Sequence, residues 1–284
     1  MTIDRGQSRP LFSVVIPTCH RNDLLAKCLD CLAPGVQTLP PEQYEVIITD
    51  DGSRSTAERM VRETYPWARW VEGPRRGPAA NRNNGAGHAR REWLVFTDDD
   101  CLPKPQWLAA FVAAVKPYTK VYEGKTTCEQ GIRSPMEQSP INLDGGWLWS
   151  CNMMLQQEVF KELRGFDESF PRPLMEDVDF RERIKQAKYT FLFVENAVVD
   201  HPPRRVHGAM RLGAYHESEI MFWSRQKKPR MFLTLFIVLV KSRIKSIFLF
   251  RPSCDSFYAI WSLVVELLYV LWKMPEWKRK YQQY

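Results

Sequence analysis

The sequence predicts an α/β domain with a mixed, mainly parallel sheet flanked by helices, followed by amphipathic and apolar helices at the carboxyl end. Two observations predict the sheet: short apolar runs alternate with helical periodicity, and most polar clusters directly follow an apolar run. The third observation concerns charge. The 284 residues carry a net charge of +7, but the last 82 contain 15 Lys or Arg against 5 Asp or Glu. The first 202 residues are therefore mildly acidic, which argues against nucleic acid as a partner.

Four apolar runs in the first hundred residues predict buried strands, at 11–17, 44–49, 69–71 and 93–97. The segments between them have helical periodicity, at 22–33, 55–65 and 78–91. Polar residues follow three of the strands directly: Thr18, then Asp50 and Asp51, then Asp98 to Asp100. In open sheets the ligand binds beyond the carboxyl ends of the strands, so the spacing predicts one site built from three successive strand ends.

The pattern is less regular after Pro103. Helices are predicted at 106–115, 158–163 and 178–187, and strands at 120–123, 190–194 and 197–199. A polar loop rich in Pro and Gly occupies 130–146. The last predicted strand leads into His201 and two prolines.

Beyond Pro203 the sequence changes character. An amphipathic helix is predicted at 206–225, and two apolar stretches follow at 231–240 and 256–272. The first stretch is too short to cross a bilayer. Basic and aromatic residues flank both stretches, which is typical of helices that lie in a membrane surface. The helices either span the membrane or lie on it; the charges at Lys241, Arg243, Lys245 and Glu266 favour lying on an anionic surface.

The cysteines indicate a reducing compartment. Their number, seven, is odd, and the polar start of the chain lacks the apolar segment of a secretory signal. We therefore expect reduced thiols in the cytoplasm. Cys28 and Cys31 lie in a predicted helix without a second pair at zinc spacing, which favours structural thiols over a redox or metal pair.

The run from Asp98 to Asp100 carries the clearest chemical signal. Three adjacent carboxylates raise one another's pKa unless a cation neutralises them, and their oxygens suit Mg²⁺ or Mn²⁺ bridging to substrate phosphates. The alternative is a solvated acidic turn. Glu176 and Asp177 form a second acidic pair, either a helix cap or the site of a general base. His201 is either a metal ligand or an ordinary core or surface histidine.

The motifs occur in an order that resembles family 2 glycosyltransferases with the GT-A fold. The first half of the pattern is Val14 to Thr18, Ile48 to Ser53, Asn81 to Asn83 and Leu94 to Asp100. The second half is Cys151 to Met154, Gly165 to Asp167, Glu176 to Arg183 and His201. The match covers roughly residues 11 to 203. Ser150-Cys151 departs from the family's usual Gly-Ala or Gly-Gly, which affects the expected shape of the sugar pocket.

The resemblance implies roles for individual residues. Pro17, Thr18 and Asp51 would line the base and ribose pocket with support from Asp50, and Arg82 and Asn83 would lie near the nucleotide or sugar. Asp98 and Asp100 match the two acidic positions of the family's D-x-D motif, with Asp99 between them on the donor side. Asp100, Asp98 and His201 would bind Mg²⁺ or Mn²⁺. Asp177 matches the general base, with Glu176 beside it.

Acceptor contacts are less well marked in the sequence. Trp147 and Trp149 would stack against a sugar or pack in the core, and Asn152 belongs to the same segment. The resemblance implies transfer from a nucleotide-diphosphate sugar, with inversion, to a glycan or polyprenyl-lipid-linked acceptor in cell-envelope polysaccharide synthesis. A homo-oligomer is compatible with the sequence.

The expected organisation is a GT-A catalytic domain at 1–203 and a basic, helical membrane-association region at 204–284. Within the domain, the nucleotide-sugar half would be about 11–102 and the acceptor half about 103–203. Two other functions stay open: an inactive membrane-bound scaffold of the same fold, or a nucleotidyltransferase. The latter usually has a Gly-rich loop with a lysine after the first strand, where this chain has Pro-Thr-Cys-His-Arg-Asn.

Overall fold

A computed structural model describes residues 12–206 and 208–282. Leu11 and the polar start of the chain lie outside the described residues. The described residues form two compact units. The first contains 12–129, 140–168 and 177–201, and the second contains 130–139, 169–176 and the described residues from Pro202 onward.

The first unit is built on one eight-stranded sheet, and a separate two-stranded sheet belongs to the second unit. The strands are β1 (Phe12–Thr18), β2 (Tyr44–Asp50), β3 (Arg69–Glu72), β4 (Trp93–Phe96), β5 (Leu102–Pro103), β6 (Val121–Thr127), β7 (Glu137–Gln138), β8 (Met153–Gln156), β9 (Phe191–Asp200) and β10 (Arg204–Arg205). The large sheet has the order β3-β2-β1-β4-β8-β6-β9-β5, and β7 pairs with β10. The predicted mixed, mainly parallel sheet is confirmed.

The parallel pairing of β1, β2 and β4 brings their carboxyl ends to one edge. Thr18 lies opposite Asp50 in the register of β1 and β2, and Val15 lies opposite Phe96 in the register of β1 and β4. All seven residues of β1 are buried, as expected of a parallel strand covered on both faces. The register of these strands therefore fixes the backbone positions of the polar residues at their carboxyl ends.

Helices flank the sheet, and three more make up most of the second unit. They are α1 (Asn22–Leu32), α2 (Glu58–Thr64), α3 (Pro78–Gly87), α4 (Trp107–Ala114), α5 (Gln157–Glu162), α6 (Glu176–Gln186), α7 (Ala209–Arg225), α8 (Pro229–Leu249) and α9 (Cys254–Tyr281). Two clusters of buried apolar residues pack around the sheet, and a third joins α7, α8 and α9 around Val270 and Trp277.

Several elements differ from the sequence prediction. The two strands predicted at 190–194 and 197–199 are one strand, β9, whose pairing with β6 shifts register between Gly124 and Lys125. The bulge accommodates the polar residues Glu195 and Asn196 without ending the strand. Strand β8 was not predicted. Helix α2 begins at Glu58 rather than Ser55, because Asp50 accepts a hydrogen bond from the Ala57 N–H and holds the preceding turn.

Candidate active site

The acidic turn after β4 is tied to the end of β1 by Asp99. Its side chain is fully buried and accepts hydrogen bonds from Thr18 Oγ1 at 2.7 Å and Arg21 Nε at 3.1 Å. Burial raises the pKa of Asp99 to about 7, although Arg21 and Thr18 act in the opposite direction. Asp99 therefore joins two strand ends from within the protein.

Arg21, which the sequence reasoning missed, bridges two of the three aspartates. It precedes α1, pairs with both carboxylate oxygens of Asp99, and donates from Nη1 to Asp100 Oδ2 at 3.0 Å. Its side chain is 38% exposed, so the guanidinium closes one side of the turn while still reaching solvent. A basic residue just after the first strand end was the available signal, but a lone arginine there is usually only surface charge.

Asp100 and His201 meet where β9 ends. His201 is fully buried, and its backbone N–H donates to the Thr127 carbonyl at 2.8 Å. Its ring nitrogen Nε2 lies 3.4 Å from Asp100 Oδ1. Cys101 completes a group whose potential ligand atoms lie within 4.8 Å of one another. Burial raises the pKa of the Cys101 thiol well above its usual value. The carboxylate and imidazole are the stronger donors, and this pair fits a divalent ion such as Mn²⁺ or Mg²⁺.

Arg82 connects the acidic turn to the start of α6. It is nearly buried in α3, donates to Asp98 Oδ1 at 2.6 Å, and has its guanidinium carbon 5.7 Å from the centre of the Phe166 ring. Asp177 accepts a hydrogen bond from the Val178 N–H at 2.8 Å. Burial raises the pKa of Asp177, while the nearby Arg82 favours its charged form. Arg82 thus acts on two carboxylates: Asp98 after strand β4 and Asp177 at the start of helix α6. Glu176, the residue before Asp177, is buried.

The acidic pair at the end of β2 is held by backbone donors. Asp50 is buried and accepts from the N–H groups of Gly52 at 2.8 Å and Ala57 at 2.6 Å. Asp51 accepts from the N–H groups of Arg75 at 2.9 Å and Gly77 at 3.1 Å. Burial raises the pKa of Asp51, although these two backbone bonds lower it. Asp50 thus shapes the turn after β2, whereas Asp51 is partly exposed beside it.

Two of the predicted donor-side residues, Pro17 and Asn83, also have structural roles. Pro17 is buried in β1 opposite Thr49. The Asn83 amide donates to the Phe166 carbonyl and accepts from the Phe166 N–H, both at 2.8 Å, which fixes the loop after α5. Asn81, which belongs to one of the sequence motifs, is buried, and its side-chain amide donates to the carbonyls of Thr18 at 3.2 Å and Thr49 at 2.9 Å.

Two tryptophans form a stacked pair on the loop before β8. The rings of Trp147 and Trp149 are 5.2 Å apart and inclined by 13°, and Trp147 is 49% exposed. Glu123 of β6, a buried residue that sequence reasoning missed, accepts hydrogen bonds from the N–H groups of Gly146, Trp147 and Leu148. This carboxylate fixes the loop and thereby the tryptophan pair.

Asn152 lies in the interior, not on the surface of this region. It accepts from Trp107 Nε1 at 2.8 Å and donates to the carbonyls of Lys125 at 2.9 Å and Ala197 at 3.0 Å. Its side chain is 1% exposed and joins β6 to β9. The sequence placed it with the acceptor-side residues because it lies close to Trp149, but its own amide is directed into the sheet.

Comparison with known proteins identifies the family and the fold. Residues 13–166 match the model of glycosyl transferase family 2. The chain belongs to this family. Its mixed, mainly parallel sheet flanked by helices is GT-A-like.

Three relatives illustrate the range of similarity to this family 2 chain. Validoxylamine A glucosyltransferase of Streptomyces hygroscopicus subsp. limoneus is 28% identical over 62% of this chain and 48% of its own length. Glycosyltransferase AglE of Haloferax volcanii is 25% identical over 69% of this chain and 68% of its own length. The mannosyltransferase PcManGT of Pyrobaculum calidifontis, solved with GDP-Man and Mn²⁺, has a TM-score of 0.55 and 20% identity over 94% of this chain and 76% of its own. This family 2 chain thus spans about half of the first relative, and the structural likeness shows the fold.

Proposed function

We propose that this glycosyltransferase moves a sugar from a nucleotide-diphosphate sugar to a hydroxyl of a glycan or lipid-linked acceptor, with inversion at the anomeric carbon. The observation that carries the proposal is the pairing of Arg82 with Asp98 at 2.6 Å, together with its electrostatic effect on Asp177. A carboxylate suited to holding a diphosphate-bound cation thereby lies near one suited to taking a proton.

The donor would bind at the carboxyl ends of β1, β2 and β4. Asp51, with Pro17 and Thr18, would line the base and ribose pocket, and Asp50 would hold the turn that carries Asp51. Asp98 and Arg82 would face the ribose, sugar and diphosphate, while Asp99 and Asn83 support them from behind through their bonds to Thr18 and Phe166. The position of ligands in open α/β sheets supports this placement.

Asp100 and His201 would hold a divalent ion, with Asp98 as a further ligand. The carboxylate oxygen suits Mg²⁺ or Mn²⁺, and the imidazole nitrogen beside it favours Mn²⁺. Such an ion neutralises charge on the departing diphosphate. Arg21 would act as a positioning residue, because its bond to Asp100 Oδ2 leaves Oδ1 turned toward His201.

Asp177 would be the general base. Its carboxylate takes the proton of the acceptor hydroxyl as that oxygen forms a bond to the anomeric carbon. The bond from the anomeric carbon to the diphosphate oxygen breaks, and its electron pair leaves with the nucleoside diphosphate. Burial raises the pKa of Asp177, which makes it a better proton acceptor than an exposed aspartate. Glu176 would assist on the acceptor side.

The acceptor would contact the stacked pair of Trp147 and Trp149, since flat aromatic faces suit sugar rings. The domain at 1–203 would carry out the transfer, and the region at 204–284 would hold it on the cytoplasmic face of the membrane as a peripheral or monotopic protein. All seven cysteines are free thiols.

The test is a screen of nucleotide sugars for release of nucleoside diphosphate, with Mn²⁺, with Mg²⁺ and with chelator. We expect one donor to be turned over in the presence of metal, with chelator reducing the rate to background. Release unaffected by chelator would contradict the metal site. No release from any donor, despite a folded protein, would favour the inactive scaffold.

A further inference from the structure

Helix α9 has apolar side chains on both faces, since Leu263, Val270 and Trp277 are buried and a second apolar stripe is exposed. Its inward face includes Ser256, Ser262 and Glu266, each less than a tenth exposed. Its outward face carries large apolar side chains, at Phe257, Ile260, Trp261, Val264, Leu268, Leu271 and Trp272. The spacing of three and four residues places these on one stripe. In water, such a stripe is an unfavourable exposed patch, which marks an interaction surface.

The buried Glu266 belongs to a chain of ion pairs that connects α9 with α7 and α8. Glu266 pairs with His216 Nε2 of α7 at 2.8 Å and with Arg243 of α8, while His216 Nδ1 pairs with Glu219 at 2.8 Å. The charge of Glu266 therefore faces the neighbouring helices and does not interrupt the outward stripe. The sequence analysis counted Glu266 among the charges that favour a position on the membrane surface, but the structure places Glu266 on the buried side of α9.

The length of the stripe argues for shallow insertion. Phe257 and Trp272 are both more than 60% exposed and bound it. At 1.5 Å per residue they are separated by about 22 Å along the axis, less than the hydrocarbon thickness of about 30 Å. Helix α9 is long and apolar enough to cross a membrane by composition alone, but its inward side packs on α7 and α8 and carries Glu266, which pairs with His216 and Arg243. These features suit a helix lying in the interface.

Basic residues border the apolar stripe and indicate the kind of surface it meets. The Lys273 ammonium lies 4.4 Å from the centre of the Trp272 ring, and Lys278, Arg279 and Lys280 are exposed in the last turns of α9. On α8, Lys241 and Lys245 alternate with the exposed Ile237, Ile244 and Phe248. Aromatic rings beside cationic side chains are typical of the headgroup layer, and the cations select anionic lipid.

We propose that the outward faces of α8 and α9 form a monotopic docking surface for an anionic lipid bilayer. Phe257, Trp261, Leu268 and Trp272 insert below the headgroups, and the basic residues at the border bind lipid phosphates. The polar network of His216, Glu266 and Arg243 stays inside the helical unit. This inference rests on the membrane placement given under the proposed function and names its surface and lipid, and it does not depend on the reaction assigned to the sheet unit.

The test is flotation of the full chain with phosphatidylcholine vesicles, with and without phosphatidylglycerol. Wild type should float with the anionic vesicles and bind neutral vesicles much less. The triple variant Trp261→Ser, Leu268→Ser, Trp272→Ser should lose at least about tenfold in vesicle affinity, because three apolar groups no longer leave water. Tyr118→Ser is the matched control, since Tyr118 is 97% exposed in the other unit and should not change flotation.

Two further measurements keep the proposal falsifiable. Circular dichroism and release of nucleoside diphosphate should be unchanged in the triple variant, so that misfolding cannot explain lost binding. Light scattering gives the mass of the chain without lipid. Equal flotation of wild type and triple variant would overturn the proposal, as would a stable dimer that dissociates on the triple substitution and never binds vesicles. Resistance of the membrane-bound protein to alkaline carbonate would replace shallow insertion by a spanning helix.

Discussion

Both units bury apolar side chains, but they differ in the apolar side chains that they leave exposed. In the sheet unit, the strands bury apolar residues and place polar groups at their carboxyl ends, as β1 shows with seven buried residues ending in Thr18. In the helical unit, α9 buries Ser262 and Glu266 and exposes Trp261 and Trp272. The exposed apolar side chains of the second unit mark an interaction surface, which the proposed docking to lipid would cover.

The paired carboxylates of the two units differ in their balance of charge. In the helical unit, Glu219 and Glu266 face two cations, a protonated His216 and Arg243. In the sheet unit, the three aspartates after β4 face the guanidinium groups of Arg21 and Arg82. The first network is balanced and structural. The second sets three carboxyl groups against two guanidinium groups beside His201, so a bound cation would add positive charge on the side with fewer charged partners.

Asp177→Asn should have the largest effect. The amide cannot accept the acceptor proton, so kcat should fall on the order of 10²-fold or more while the donor KM changes little. Steady-state release of nucleoside diphosphate measures both constants. Glu182→Gln is the matched control, a carboxylate-to-amide change on the same helix that should preserve kcat. Turnover near wild type in Asp177→Asn would remove Asp177 from the role of base.

Asp100→Asn should weaken metal-dependent donor binding by about tenfold or more, since it replaces a charged ligand by a neutral one. Calorimetry of the nucleoside diphosphate with and without Mn²⁺ separates the metal-dependent part. Asp144→Asn, in an exposed loop of the same unit, should leave that part unchanged. If Asp100→Asn binds the nucleotide with an undiminished response to Mn²⁺, the cation lies elsewhere.

Glu266→Leu tests whether the ionic network of the helical unit is structural. It leaves His216 and Arg243 without their shared carboxylate, so the free energy of unfolding should fall by about 3 kcal/mol. Urea denaturation monitored by tryptophan fluorescence measures the change. Glu276→Leu, at an exposed position of the same helix, should stay within about 0.5 kcal/mol of wild type. A stable Glu266→Leu protein would show that the buried network does not hold the helices together.

Arg21→Ala should lower stability by about 1 to 2 kcal/mol, a discounted figure because the guanidinium is partly solvated. Added Mn²⁺ should raise the Tm of this variant more than that of wild type, because the ion supplies positive charge that Arg21 no longer provides. Thermal melts with and without Mn²⁺ test this. Equal shifts in the two proteins would argue that Arg21 and the ion act on separate charges.

His216 should give the helical unit a pH dependence on the order of 1 to 3 kcal/mol. Burial lowers the pKa of His216, but its bonds to Glu219 and Glu266 outweigh this effect and raise the pKa to about 9. The contribution is therefore complete below pH 6.5, the ordinary value, and is lost as the pH rises through about 9. Urea midpoints of wild type and His216→Gln should converge over that interval. Parallel curves would contradict the assignment.

Much of the sheet and of the candidate site could be predicted from the sequence because both follow from strand ends. Strands followed by Thr18, Asp50 and Asp98 have a local signature. Strand β8 was missed because its four residues follow a polar loop and carry no alternation of their own.

Arg21, Glu123 and Glu266 could not be identified for a different reason. A single charged residue is ordinarily exposed, and only tertiary pairing shows that Glu123 holds a loop, that Arg21 bridges two aspartates, or that Glu266 faces inward.

The stereochemistry of transfer tests the proposed mechanism most directly. With the donor identified by the screen, proton NMR can follow the sugar released to water before its anomers equilibrate. Single displacement with Asp177 as base predicts that an α-linked donor first yields the β anomer. An α anomer as the first product would contradict the inverting mechanism and the role assigned to Asp177.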